Sequence, residues 1–263
     1  MIIDSHLHLT KMTENETHED ALVLLKENMV KNNIDKAIII ADNIIGSDCA
    51  DTDTLLKLLK TENNFYMVGS LLVLDYSQAD LDKFDNLLKE KKIIALKLFP
   101  GHDPYYPTDA RCEPIYELCL KHDCPIIIHT GINIGDEDCA KYNDPKHIVE
   151  VAKKYSKLKI VIAHYFWPKM EYCHEITKPY DNILFDTSAM ADIDVVEATG
   201  GIEKVKNILE QTIKEKPNGV MFGTDYPCCE IKPHVDLINS SNISQEEKEK
   251  VFSGNSIEVF KIK

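Results

Sequence analysis

The sequence begins with a short apolar run that ends in two histidines, His6 and His8, one residue apart. Successive side chains of a strand point to opposite faces, so these two imidazoles would point the same way. Paired imidazoles at one strand end are suited to holding a divalent metal ion. Because the chain contains ten histidines, one such pair is weak evidence by itself.

Other residues of metal-ligating type follow later apolar runs in the chain. His129 follows Pro-Ile-Ile-Ile, His164 follows Ile-Val-Ile-Ala, and Asp225 follows Val-Met-Phe-Gly-Thr. A histidine directly after buried aliphatic residues costs free energy unless it is paired or coordinated. Packing alone does not readily explain four histidines and one aspartate at strand ends. We therefore predict that these residues meet around a metal ion.

The elements that must position these residues alternate between strand and helix. Apolar, β-branched runs predict eight strands, over residues 2–8, 36–41, 66–73, 93–99, 125–129, 159–164, 183–187 and 220–224. Amphipathic stretches between them predict helices, among them 19–31, 80–91, 113–122, 147–155, 202–215 and 245–252. Eight such units favour an α/β fold, a single-domain (β/α)8 TIM barrel over residues 1–263. A doubly wound open sheet is the alternative, which the absence of a G-x-G-x-x-G after the first strand disfavours.

Composition and charge restrict the class of partner. The net charge of -14 argues against nucleic acid or an anionic membrane as a partner. No run approaches the ~20 apolar residues of a membrane span, and Asp4 and His6 interrupt the first apolar run, unlike a signal peptide. We therefore expect a cytoplasmic protein with a small-molecule substrate. The oligomeric state is left open, with a homo-oligomer as one option.

Taken in order, six motifs resemble the amidohydrolase superfamily, in particular the amidohydrolase-related branch that includes aminocarboxymuconate semialdehyde decarboxylase. The motifs are His6-Leu-His8, Leu96-Lys97-Leu98-Phe99-Pro100, Pro125-Ile-Ile-Ile-His129-Thr130-Gly131, Ala163-His164, Phe185-Asp186-Thr187-Ser188 and Phe222-Gly223-Thr224-Asp225-Tyr226-Pro227. The resemblance implies a (β/α)8 barrel with a divalent metal, often zinc, held by His6, His8, His129 and Asp225. It also implies that His164 acts beside the metal as an acid or base.

The resemblance determines the number and identity of the metal ions less directly than it determines the ligands. We expect one divalent ion, with zinc first, although nitrogen and oxygen ligands also suit manganese, iron or cobalt. Two ions are an alternative, because in other superfamily members a carboxylated lysine on the fourth strand bridges two metals. Lys97 lies on that strand, so its role is either metal bridging or substrate binding.

The expected reaction is hydrolysis of an amide, ester or lactone bond in a small carbonyl compound. A bound cation can lower the pKa of its water from 15.7 to about 7. Asp225 would accept the proton, and His164 would hydrogen-bond the substrate oxygen or protonate the leaving group. One alternative is nonoxidative decarboxylation of an unsaturated or aromatic acid. Another is a non-catalytic metal-binding barrel.

Arginine content bears on the choice between hydrolysis and decarboxylation. Decarboxylases of this branch are expected to hold the substrate carboxylate with an arginine, and Arg111 is the only arginine in the chain. This modestly favours hydrolysis.

Two further residues each allow two accounts. Asp4 could orient an imidazole, or it could bond to neighbouring backbone. His102 could replace the histidine that the branch often has where this chain has Phe99, or it could be a surface-loop residue.

Overall fold

Eight parallel strands form a barrel in the computed structural model, which describes residues 1–44, 46–132 and 136–263. The strands are β1 (Ile3–Leu7), β2 (Lys36–Ile40), β3 (Phe65–Ser70), β4 (Ala95–Leu98), β5 (Ile126–Ile128), β6 (Ile160–Ile162), β7 (Ile183–Asp186) and β8 (Val220–Met221). Strands adjacent in the chain are adjacent in the sheet, from β1 to β8. The predicted TIM barrel is confirmed, because a doubly wound sheet would reverse its strand order.

Helices follow the strands. Those in the described residues are α1 (His18–Asn32), α2 (Thr52–Leu58), α3 (Gln78–Lys89), α4 (Glu113–His122), α5 (Pro145–Lys154), α6 (Met170–Thr177), α7 (Ile193–Thr199), α8 (Ile202–Glu215), α9 (Ile231–Ser240), α10 (Gln245–Glu249) and α11 (Asn255–Phe260). Helices α2, α6, α7, α9 and α11 were not among the predicted ones. These helices have ten residues or fewer, so each offers only a short periodic pattern, although α4 and α5, with ten residues each, were predicted. None of the described helices is long and apolar enough to cross a membrane.

Alternate strand residues pack into two apolar layers. Ile38 and Ile40 of β2 belong to the cluster inside the barrel, whereas Ala37 and Ile39 belong to the cluster between the sheet and the helices. This alternation is the period of two that a strand imposes. On β4, Lys97 is flanked by Ala95 and Phe99 of the interior cluster and is itself fully buried.

The barrel closes through the segment that follows the two-residue strand β8. The backbone N–H of Ser5 donates to the carbonyl of Phe222 at 2.8 Å. The N–H groups of Thr224 and Asp225 donate to the carbonyl of His6, at 3.2 and 2.8 Å respectively. Closure therefore brings the first strand and the last strand end together, although they lie near opposite ends of the chain.

Asn255 at the start of α11 ties the end of the chain to the barrel. Its side-chain amide donates to the carbonyl of Val220 at 2.7 Å and to that of Pro217 at 3.2 Å. Because Val220 begins β8, these bonds support the strand whose continuation closes the barrel.

Candidate metal centre

All five residues that the sequence predicts to meet lie at one end of the barrel. The Nε2 atoms of His6 and His8 are each 3.6 Å from Oδ1 of Asp225. His164 Nδ1 is 3.9 Å from Oδ2 of Asp225, and the ring centres of His129 and His164 are 4.9 Å apart. These side chains come from the ends of β1, β5 and β6 and from the segment after β8.

Within this cluster, His164 groups with two of the residues predicted to bind metal, His6 and Asp225. Potential ligand atoms of His6, His164 and Asp225 lie within 4.8 Å of one another. The resemblance instead implies His6, His8, His129 and Asp225 as ligands. The geometry thus brings the expected acid or base, His164, close to the predicted ligands.

Two of the strand ends use left-handed backbone conformations. The φ angles of His164, Tyr165 and Phe166 are 60°, 55° and 55°, and that of Asp225 is 70°. Residues other than glycine seldom adopt such angles, and where they do, the strain often lies at a functional site. The ring of Tyr165 is fully buried and stacks on Phe185, with ring centres 4.4 Å apart, which anchors the turn that carries His164.

Hydrogen bonds define which ring nitrogen of His6 and His8 carries the proton. His6 Nδ1 lies 2.7 Å from Oδ2 of Asp186, and because a carboxylate accepts, the imidazole donates from Nδ1. His8 Nδ1 likewise donates to the carbonyl of Ile40 at 3.0 Å. Both Nε2 atoms therefore carry lone pairs, and both face Oδ1 of Asp225. Three electron-rich atoms facing one another favour a cation between them.

His129 supplies a second reason to expect a cation. Its Nε2 is buried and has no hydrogen-bond partner among the described residues. Buried polar atoms are rarely left unpaired, because losing water without a new partner costs about 1–3 kcal/mol. Imidazole nitrogens and a carboxylate oxygen are suitable ligands for zinc, manganese, iron or cobalt. The residues present therefore fit a divalent metal ion.

Burial keeps the histidines in the form that binds metal. It lowers the pKa of His6, His129 and His164 well below the usual range and that of His8 to about 3. Burial also raises the pKa of Asp225 to about 7, against the effect of Lys97, which lowers it. Metal ligands must be neutral imidazoles and ionised carboxylates, and a cation beside Asp225 would favour its ionised form.

Lys97 also reaches the site. Its Nζ lies 3.5 Å from Nε2 of His6 and 5.0 Å from the centre of the Phe99 ring. Burial lowers the pKa of Lys97 to about 8, although Asp186 and Asp225 raise it. A lysine in this position could present an ammonium group or a neutral amine to a small molecule.

Asp186 and Ser188 belong to one of the six motifs, but no role was predicted for either residue. Both lie at the end of β7, and the structure connects them to the imidazoles of His6 and His164. Like Asp225, Asp186 lies at a strand end, so its position in the sequence also indicated a place at the site. Asp4 instead accepts hydrogen bonds from the hydroxyl of Thr224 at 2.6 Å and from backbone N–H groups. Asp186, rather than Asp4, is the carboxylate that orients His6.

His102 was predicted either to replace the histidine expected at the position of Phe99 or to be a surface-loop residue, and its position combines features of both. Its side chain is exposed on the loop after β4, yet its ring centre is 4.4 Å from that of His129. It therefore lies beside the site as a loop residue.

Arg111 is occupied elsewhere. Its guanidinium donates two hydrogen bonds to Asp109, at 2.9 and 2.6 Å, and its side chain is half exposed. The single arginine is therefore already paired at the surface.

Comparison with known sequences gives one family match. A family model described as Amidohydrolase matches residues 41–262, so His6 and His8 precede the matched range. No curated protein sequence matches significantly.

Solved structures share the barrel at low sequence identity. An uncharacterized TIM-barrel protein from Bordetella bronchiseptica is 20% identical, with a TM-score of 0.79 and coverage of 99% of this chain and 98% of that chain. A dihydroxybenzoic acid decarboxylase from a Polaromonas species, solved with manganese and the inhibitor 2-nitroresorcinol, is 16% identical, with a TM-score of 0.69 and coverage of 99% and 96%. A Pseudomonas putida protein provisionally assigned as a 2-pyrone-4,6-dicarboxylic acid hydrolase is 15% identical, with a TM-score of 0.70 and coverage of 99% and 97%. At these identities the likeness shows the fold.

Proposed function

The chain belongs to the amidohydrolase family, and from that premise we propose that it is a metal-dependent hydrolase. Its substrate would be a small carbonyl compound with an amide, ester or lactone bond. The observation that carries the proposal is the pair of Nε2 lone pairs, from His6 and His8, that face Asp225 inside the barrel. Such an arrangement serves no evident packing purpose, because apolar side chains would fill the same space without burying charge.

His6, His8, His129 and Asp225 would hold one divalent ion. Zinc is our first expectation, and the manganese in the Polaromonas structure makes that metal the next. When bound, the ion would polarise a substrate oxygen and lower the pKa of water. Elemental analysis of the purified protein tests this directly. Two equivalents per chain would instead favour the bridged arrangement in which Lys97 is carboxylated.

The protein's own residues would move the protons. Asp225 would accept the proton of the attacking water, and His164 would exchange a proton with the substrate oxygen or the leaving group. General acid–base catalysis of this kind contributes roughly 10²–10⁴-fold. With a single metal ion, Lys97 would bind an oxygen atom of the substrate.

Decarboxylation of an unsaturated or aromatic acid is the second candidate. The Polaromonas enzyme supports it, since that protein is a decarboxylase. Against it stands Arg111, whose guanidinium is already held by Asp109. Lys97 could replace an arginine as a point charge but not as a bidentate fork. The third candidate, a non-catalytic metal-binding barrel, would need neither the lone pair of His164 nor a proton acceptor.

We also propose that residues 1–263 act as one catalytic domain in the cytoplasm. A small molecule would be the partner, and the charge of -14 supports the exclusion of nucleic acid and anionic membranes. Light scattering of the purified chain would show whether it forms a homo-oligomer.

The test compares two reactions in the metal-loaded protein. Hydrolysis is followed as acid release from a panel of lactones, esters and amides, and decarboxylation as carbon dioxide release from unsaturated and aromatic acids. We expect hydrolysis, a loss of at least about 100-fold in kcat for Asp225→Asn, and no loss for Asp236→Asn, a half-exposed aspartate. Carbon dioxide release without hydrolysis would establish the second candidate, and metal binding without either reaction would favour the third.

A further inference from the structure

Ser188 places a buried hydroxyl between His6 and His164, two of the four histidines of the site. Its side chain is fully buried, and Oγ lies 2.9 Å from Nδ1 of His164. The same oxygen hydrogen-bonds to Oδ1 of Asp186, whose other oxygen accepts from Nδ1 of His6 at 2.7 Å. Asp186 and Ser188 therefore form a continuous bridge from His6 to His164.

The direction of each bond in this bridge follows from the number of available protons. A serine hydroxyl has one proton and two lone pairs, whereas a carboxylate only accepts. The single proton of Ser188 must therefore go to Asp186. Ser188 Oγ is then left to accept, and it already accepts the backbone N–H of His164 at 3.2 Å.

Only one arrangement of His164 completes the bridge. Since Ser188 Oγ is an acceptor, the imidazole must donate from Nδ1. The reverse arrangement, with Ser188 donating to His164, would leave Ser188 Oγ and Asp186 Oδ1 facing each other as two acceptors. We infer that Ser188 holds His164 in the tautomer with its proton on Nδ1, so that Nε2 of His164 is a proton acceptor.

This inference rests on the proposed function and gives its proton transfer a direction. Nδ1 is the nitrogen 3.9 Å from Asp225, and its proton removes it from the set of metal ligands. Asp225 accepts the proton that water loses as the new carbon–oxygen bond forms. Because Nδ1 of His164 keeps its own proton, His164 can donate only after Nε2 has taken up the proton from Asp225. From Nε2 that proton passes to the leaving group as its bond to the carbonyl carbon breaks. Ser188 is a positioning residue in this scheme, since it acts through His164.

The tautomer can be read by nuclear magnetic resonance without substrate or metal. In protein labelled with ¹⁵N-histidine, long-range proton–nitrogen correlations distinguish a protonated from an unprotonated ring nitrogen. The signals of His164 are identified by their loss in His164→Gln. We expect Nδ1 to be protonated and Nε2 to be unprotonated.

Two variants at Ser188 separate positioning from packing. Ser188→Ala removes the acceptor, so we expect a population with the proton on Nε2 and a decrease of about tenfold or more in kcat, with KM and metal content little changed. Ser188→Thr keeps the hydroxyl and should retain the wild-type tautomer.

Several results would overturn the inference. Protonated Nε2 in the wild-type protein would do so, even if neither Ser188 variant folded, and so would an unchanged His164 spectrum in Ser188→Ala. Because the spectrum is recorded without turnover, it can contradict the predicted tautomer even when hydrolysis is observed. Equally, the absence of hydrolysis would leave the spectroscopic result intact, so the two failures are distinguishable.

Discussion

Three histidines of the centre form hydrogen bonds through Nδ1 to three different kinds of acceptor. His6 donates to a carboxylate, His8 to a backbone carbonyl and His164, by our inference, to a hydroxyl. Each bond fixes the proton on Nδ1, so the lone pair is on Nε2. A partner such as Asp186 also increases the basicity of the imidazole it orients. The bridge of Asp186 and Ser188 therefore links the predicted metal ligand His6 to the predicted acid or base His164.

A histidine outside the centre should make the free energy of unfolding decrease as the pH falls below about 6.5. His234 on α9 is almost fully buried, donates from Nδ1 to the carbonyl of Glu230 at 2.8 Å, and accepts the N–H of Ala191 at 3.3 Å. Burial lowers the pKa of His234 to about 4, below the value of about 6.5 for an unfolded histidine. As the pH falls from about 6.5 towards 4, only the unfolded chain gains this proton. The contribution of His234 to stability should be present above pH 6.5 and be lost across that interval.

The measurement is the free energy of unfolding in urea at pH 7 and pH 5. His234→Gln cannot take up the proton, so its disadvantage relative to the wild type should shrink by about 2 kcal/mol between the two pH values. His18→Gln, at a partly exposed position, is the matched control. An equal difference between wild type and His234→Gln at both pH values would contradict the assignment.

At the scale of elements, the position of the site depends on how the chain closes the barrel after β8. Gly223 lies where this segment passes closest to β1. A Cβ added at Gly223 would be 2.9 Å from the Cβ of His6 and 3.3 Å from its backbone nitrogen. Neither atom belongs to a flexible side-chain end, so one of the two segments would have to move. The glycine therefore permits the close approach that sets His6 beside Asp225.

Gly223→Ala should thus weaken metal binding, because the added Cβ displaces His6 or the segment that carries Asp225. We expect at least about a tenfold weaker affinity, of the order seen when the partners that orient metal ligands are mutated. Competition with a coloured chelator measures the affinity. Gly254→Ala is the control, because its nearest neighbour to an added Cβ is at an ordinary 3.7 Å. The same affinity in both variants would disprove the role given to Gly223.

Helix α3 begins with a capping box that should contribute to stability independently of the site. The Oγ of Ser77 accepts the N–H of Asp80 at 3.3 Å, and the Asp80 carboxylate accepts the N–H of Ser77 at 2.8 Å. Ser77→Ala should lower the free energy of unfolding by about 0.5–2 kcal/mol, because the backbone N–H of Asp80 loses its acceptor. Urea unfolding measures this, with Thr61→Ala at an exposed position as the reference. Metal affinity should not change.

At the scale of the whole molecule, a metal ion would join elements that are distant in the chain. Its proposed ligands come from β1, from the end of β5 and from the segment after β8. Because the unfolded chain does not hold these residues together, binding should stabilise the folded state.

Chelation should therefore lower the melting temperature. At a metal concentration 100-fold above Kd the stabilisation is about 2.7 kcal/mol, which corresponds to a shift of several degrees. Thermal unfolding with zinc or manganese, compared with a chelator, measures the shift. His129→Ala should reduce it, whereas Lys154→Ala, at a surface ion pair, should not. A melting temperature independent of metal in the wild type would argue against the centre.

The alternation of strands and helices, and the placement of His6, His8, His129, His164 and Asp225 at strand ends, could be predicted from the sequence alone. Both depend on periodicity and on neighbouring residues, which are local properties of the chain.

The tertiary structure decided which groups pair with one another. Whether Asp4 or Asp186 orients His6, how the segment after β8 meets β1, and where Lys97 places its charge all depend on strand register and barrel closure. These contacts join residues far apart in sequence, whose proximity no local pattern encodes. The sequence therefore determined which residues could form the site, and the three-dimensional fold decided which of their atoms face one another.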